Sequence, residues 1–209
     1  VSFFLLLTIG AFAQAVPDGT PALRRYWVGA EDNLWSNRNN WSTTSGGTGG
    51  ASVPSTANTA IFDANSADYC LIDVNANVGA IKLQADFENA VIQDENVNVV
   101  ARTGAYFGNG YYSGPTVGLF RVSGGNFTVE SLGNVFFPST EVIIDANTYL
   151  INGEIYFSSL TTTFGGNINM YTTCSIEPNG GTLILSQPTG TTSIVNRTFA
   201  VNGASPGTL

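Results

Sequence analysis

The sequence predicts an all-β fold, and within that class a right-handed parallel β-helix (β-solenoid) with a Trp-rich N-terminal cap. A β-sandwich is the competing architecture. Three observations carry this. Short apolar-alternating segments, bounded by Asn, Gly and Asp turn formers, recur along most of the chain. After residue 16 no stretch sustains a 3.6-residue apolar period, so helices are essentially missing. Gly-Gly pairs beginning at 124, 165 and 180 each stand just before an apolar alternation, and Asp-x-Asn units at 73–75 and 145–147 follow apolar strands.

The last observation separates the two architectures. A sandwich pairs its strands as antiparallel hairpins with tight two-residue turns. A solenoid stacks each short strand on its equivalent in the next coil and repeats Asn and Gly at the corners, here with an irregular period of roughly 20 residues.

Read in order, residues 1–15 form a signal peptide truncated at its start. Val1 to Phe12 is an apolar run of h-region length, and Ala11-Phe12-Ala13 and Ala13-Gln14-Ala15 are both A-x-A-like cleavage sites. A membrane span is disfavoured because about 20 apolar residues are needed and Pro17-Asp18-Gly19 ends the run. Residues 16–60 make a linker and capping segment that holds Trp27, Trp35 and Trp41, with a Gly/Ser/Thr loop from Ser42 to Ser52 expected to be exposed and mobile. Residues 61–209 are solenoid rungs, incomplete at the C-terminus. Strands are expected at Thr59–Phe62, Cys70–Val74, Ala80–Leu83, Ala90–Ile92, Val97–Val99, Leu119–Val122, Phe127–Val129, Glu141–Ile144, Tyr149–Ile151, Glu154–Phe157, Ile168–Met170 and Thr182–Leu185. One coil cannot bury its inward side chains alone, so the coils stack and their ends need protection.

Composition bounds the function. Charged residues are only 11% of the chain, and the polar content is Asn, Thr, Ser and 24 Gly. Fifteen acids against seven scattered bases, a net charge of −8, argue against nucleic acid, which requires clustered Lys and Arg. Histidine is absent, which removes the commonest general base and every Ser-His-Asp or Cys-His arrangement. Cys70 and Cys174 lie 104 residues apart, several rungs at ~4.8 Å each. A disulfide needs Cα atoms within ~7 Å, so two separate buried thiols are expected.

The run Tyr26-Trp27-Val28-Gly29, Trp35-Ser36-Asn37, Asn40-Trp41-Ser42, a Gly-rich loop, Val53-Pro54 and Ala60-Ile61-Phe62-Asp63 resembles the opening of large exported β-helix surface proteins of Bacteroidota type. Asp73 to Ile81 looks like the rungs of such proteins and of autotransporter passengers. The resemblance implies a β-helix, export by type IX secretion or an autotransporter-like route, and an adhesin-like role; it carries over no catalytic residue.

Candidate sites follow from residue chemistry. Tyr106, Phe107, Tyr111 and Tyr112 flank Gly108-Asn109-Gly110 and read as an aromatic loop suited to glycan or protein contact. Trp27, Trp35 and Trp41 offer either a sugar-stacking platform or packing over the first coil. Asp63, Asn65 and Asp68 supply the oxygen ligands that calcium takes, against the competing role of turn formation. The adjacent acids Glu31-Asp32 and Asp94-Glu95 would point to opposite faces of a strand, and nothing selects a catalytic pair. Asn40, Asn126 and Asn196 match the N-glycosylation acceptor pattern. The expectation is a secreted or cell-surface structural solenoid without catalysis, with glycans or matrix components as partners and no membrane span in the mature chain. The alternatives are a carbohydrate-binding module and a β-helix enzyme acting on polysaccharide.

Overall fold

A computed structural model describes residue 16 and residues 18–138, 140–151, 154–157, 161–166, 168–171, 175–178 and 182–185. The leader expected at residues 1–15, together with Cys174, the Gly180 pair and Asn196, lies outside the described residues.

The chain is all-β. In order the strands are β1 (Arg24–Trp27), β2 (Trp41–Ser42), β3 (Thr59–Phe62), β4 (Cys70–Ile72), β5 (Ala76–Leu83), β6 (Ala90–Gln93), β7 (Asn98–Ser113), β8 (Leu119–Val122), β9 (Asn126–Phe137), β10 (Glu141–Ile144), β11 (Asn147–Ile151), β12 (Glu154–Phe157), β13 (Thr161–Phe164), β14 (Ile168–Tyr171), β15 (Ser175–Pro178) and β16 (Thr182–Leu185). Short 3-10 turns at Pro21–Leu23 and Arg38–Asn40 are the only helical elements among the described residues.

Every named strand pairing is parallel except β1 with β2. That pattern excludes the hairpin-built sandwich and defines a β-solenoid with three sheet faces. The first face stacks β1, β3, the end of β5, the middle of β7, the start of β9, β11 and β14. The second stacks β4, β6, the ends of β7 and β9, β12 and β15. The third stacks the starts of β5 and β7, then β8, β10, β13 and β16.

Alternation decides which side chains enter the core. On the second face, Cys70, Val91, Tyr112, Val135, Ile155 and Ile176 occupy one ladder and all are buried. Phe62, Leu83, Phe107, Val129 and Leu150 do the same on the first face. Val99, Phe120 and Val142 do so on the third. Rings from the three faces meet on the axis: Phe107–Tyr112, Tyr112–Phe120 and Phe120–Phe137 have centroids 5.1, 5.1 and 5.0 Å apart. Each such burial stabilises the fold by about 1.5–3 kcal/mol.

The aromatic loop expected around Gly108-Asn109-Gly110 is instead strand. Residues 104–113 belong to β7, which turns two corners and serves all three faces. Its glycines mark corners rather than a chain excursion: pairing with β9 shifts register between Phe107 and Asn109. At the stacked corner of the next coil, Gly125 has φ +69°, and a Cβ there would lie 1.9 Å from the Thr103 carbonyl oxygen. Only glycine fits so close an approach in that conformation.

The cap covers two strand edges at once. β2 pairs antiparallel with β1, and Leu34 bridges Leu71 of β4, with Trp35 N donating to Leu71 O at 2.8 Å. The Ser42–Ser52 loop is largely exposed, yet it is tied down. Ala51 N donates to Trp41 O at 2.9 Å, and Asn65 Nδ2 donates to Ser45 Oγ at 2.8 Å. The linker is likewise docked on the first face: Asp18 pairs with Lys82, and buried Val16 packs over Gly104. Cys70 is a free, buried thiol; the other half of the expectation, at Cys174, lies outside the described residues.

Candidate functional site

Because Cys70, Val91 and Tyr112 point inward, their neighbours on the second face point out. Ala90, Tyr111 and Asn134 form one outward ladder, and Tyr69, just before β4, stands in line with Ala90. Leu71, Ile92, Ser113, Phe136 and Tyr156 form the next. Tyr69 and Tyr111 are 39% and 38% exposed, and they are the only aromatic side chains among the exposed large hydrophobic residues described.

Two hollows meet at Tyr111 and Asn134. One, of about 530 Å³, is bounded by Asp68, Tyr69, Glu88, Asn89, Asn109, Tyr111 and Asn134. The other, of about 350 Å³, is bounded by Tyr111, Asn134, Phe136 and Tyr156. Together they make one trough that crosses successive coils.

Its shape follows from small residues. Ala90 lies between the two tyrosines on their ladder. At the neighbouring corner Gly110 pairs with Gly133. Gly110 has φ +76°, and a Cβ there would be 2.7 Å from the Asn89 carbonyl oxygen. The walls are held by hydrogen bonds: Asn89 Nδ2 donates to Ser66 O at 3.0 Å, Tyr111 N to Asn89 O at 3.0 Å, and Tyr69 N to Asp68 Oδ1 at 2.7 Å. Asp68 and Glu88 are the charged groups of the trough, and no Lys or Arg lines it.

The four aromatics expected as one loop are dispersed by strand alternation. Phe107 and Tyr112 are fully buried in the core, Tyr111 faces the trough, and Tyr106 lies outward on the first face. Tyr106 donates its hydroxyl to Glu130 Oε2 at 2.9 Å, and Lys82 Nζ sits 5.6 Å from its ring centre. Burial, and then the Glu130 hydrogen bond and charge, push the Tyr106 phenol above its ordinary range, so it stays protonated.

Trp27, Trp35 and Trp41 offer no ring face to a sugar, because all three are enclosed at the end of the first coil. Trp41 packs edge-on to Trp27 and Trp35 with centroids 5.2 and 4.6 Å away, and all three contact Phe62. Trp27 Nε1 donates to Asp68 O at 3.0 Å and Trp41 Nε1 to Trp35 O at 2.8 Å.

The calcium candidates form a turn. Asp63 Oδ1 accepts from Asn65 N at 2.9 Å, Asp63 N donates to Ser66 Oγ at 3.1 Å, and Asp68 Oδ1 accepts from Tyr69 N. Among the described residues no group of three or more His, Cys, Asp or Glu side chains converges as a metal site. The adjacent acids also tie turns. Asn37 Nδ2 donates to both Glu31 and Asp32, and Glu95 accepts from Thr116 Oγ1, Thr116 N and Val117 N.

Tyr69 escapes a residue-by-residue reading. The signal that finds it is the period: Tyr69, Ala90 and Tyr111 stand 21 residues apart in turn, which is one coil.

Fold and trough together define the class, a parallel β-solenoid with an aromatic and amide-lined trough on one sheet face. Beyond that class, no family model, curated protein or solved structure matches the chain. Among the described residues no helix is long and apolar enough to cross a membrane.

Proposed function

We propose that this chain is a secreted or cell-surface, adhesin-like β-solenoid that works by presenting a binding surface and not by catalysis. The observation that supports this is the outward ladder of the second face. It holds Tyr69 and Tyr111 in the open on a backbone whose inward neighbours, Cys70 and Tyr112, are fully buried. A ring fixed in this way loses little freedom on contact, so its area is available for binding. The hydrophobic run at residues 1–12 and the A-x-A-like sites after it support export.

The test is retention. Beads coated with the full chain are passed over polysaccharide, matrix-protein and mineral surfaces. The proposal expects retention on at least one surface by folded chain and none by heat-unfolded chain. Equal passage of both across all surfaces overturns it.

A further inference from the structure

We infer that the trough on the second face binds an uncharged polysaccharide, laid along the solenoid axis with sugar faces stacked on Tyr69 and Tyr111; this rests on the surface-presenting reading above. Three observations point to that ligand.

The first is direction. Tyr111 pairs with Ala90, and Tyr69, the residue before β4, continues that line one coil further, so the two rings lie two coils apart. Their separation is two strand spacings, about 10 Å, along the axis and not along a strand. An extended polymer of ring-shaped units places successive apolar faces on such a line. A compact ligand would engage one ring.

The second is chemistry. Asn89, Asn109 and Asn134 border the trough beside the rings. Asn89 and Asn109 each give one amide hydrogen to a backbone carbonyl, and each amide keeps a second hydrogen and a further lone pair for hydroxyl groups. Rings for the faces and amides for the edges match a sugar better than an apolar peptide.

The third is charge. Asp68 and Glu88 are the charged groups of the trough, and the whole chain carries −8. A uronate or sulfated polymer would be held against like charge with no Lys or Arg to pair it. One Asp68 oxygen already accepts from the Tyr69 backbone, which leaves it suited to a hydroxyl donor.

Affinity electrophoresis of the full chain tests this, in gels containing hydroxyethylcellulose, galactomannan or xylan, with alginate and chitosan as charged comparisons. The expected result is retardation by at least one neutral polymer and little by alginate. Tyr69→Ala and Tyr111→Ala should each weaken it about tenfold. Tyr69→Phe and Tyr111→Phe, which keep the rings, should stay near wild type. The thermal midpoints of these exposed-site variants should match wild type, so lost binding is not lost folding.

No retardation by any neutral polymer overturns the inference, as does a double-alanine variant that binds like wild type. Tighter binding to chitosan that vanishes in salt reassigns the trough to cations and also overturns it. In each case bead retention by the folded chain leaves the surface-presenting reading standing. Loss of retention as well removes both.

Discussion

Tyr112 donates its hydroxyl to Gln93 Oε1 at 2.9 Å, with both side chains closed inside the solenoid. Gln93 Nε2 donates in turn to the carbonyls of Val97 and Leu119, at 2.6 and 2.9 Å. One amide therefore joins strand β6, the turn after it and strand β8 of the next coil, and the phenol completes its bonding. Tyr112→Phe leaves the Gln93 oxygen unsatisfied, at a cost of about 1–3 kcal/mol. Gln93→Leu removes a donor from two carbonyls as well as the phenol's acceptor, and costs more. Urea unfolding of both variants checks the order, and a smaller loss for Gln93→Leu would contradict the network.

Two glycines make a controlled comparison. Gly125→Ala forces a Cβ against the Thr103 carbonyl oxygen at φ +69°, whereas at Gly50, φ +109°, a Cβ meets nothing within 4 Å. Both substitutions carry positive-φ strain of about 1–3 kcal/mol, but only Gly125→Ala must also displace the coil beneath. Its unfolding midpoint should fall well below that of Gly50→Ala. Equal midpoints would mean that the stacked corners are looser than their geometry implies.

The indole cluster should report on the end of the first coil. Trp27, Trp35 and Trp41 are enclosed, so native tryptophan emission should be blue-shifted and poorly quenched by acrylamide. Trp41→Ala removes a ring that touches both other indoles and Phe62. It should cost about 3–5 kcal/mol and expose the β1 edge to self-association. Light scattering on dilution of that variant checks the second effect.

Glu95 gives a pH signature. Hydrogen bonds from Thr116, first its side chain and then its backbone, together with Val117 N, hold this carboxyl below its ordinary value. A carboxyl lowered in the folded state stabilises fully above its unfolded value, about 4.3. That contribution is lost as pH falls through the lower folded value. Urea midpoints of wild type and Glu95→Gln should thus differ most above pH 5 and converge towards pH 3. A gap that stays constant over that range would remove Glu95 from the acid response. Asp32, lowered chiefly by Asn37, acts in the same direction in both proteins and cancels from the comparison.

The fold was legible because its signals are local. Alternation in Leu119–Val122, Glu141–Ile144 and Thr182–Leu185 coincides with the observed strands β8, β10 and β16, and Gly124-Gly125 stands where two corners stack. Strand β13, Thr161–Phe164, is harder to see. Three threonines show no apolar alternation, although Thr162 and Phe164 are buried. The stretch around Gly108-Asn109-Gly110 misleads for a physical reason. Glycine marks a break in most chains, but in a solenoid it lets one continuous strand bend at a corner, so residues next to each other there face core and solvent in turn. The trough was half legible, through Tyr111. Its partner Tyr69 becomes a neighbour only once coil length and register are known.

The stacking direction has a mechanical consequence. Ladder hydrogen bonds lie along the solenoid axis, so tension on the axis loads them directly, coil by coil. Strand β7 pairs with its neighbours through Asn98–Ala101, Gly104–Phe107 and Asn109–Ser113, and β10, β11 and β12 together pair over a comparable length with the coil before them. Under a steady pull these coils should therefore part at similar forces, one coil at a time.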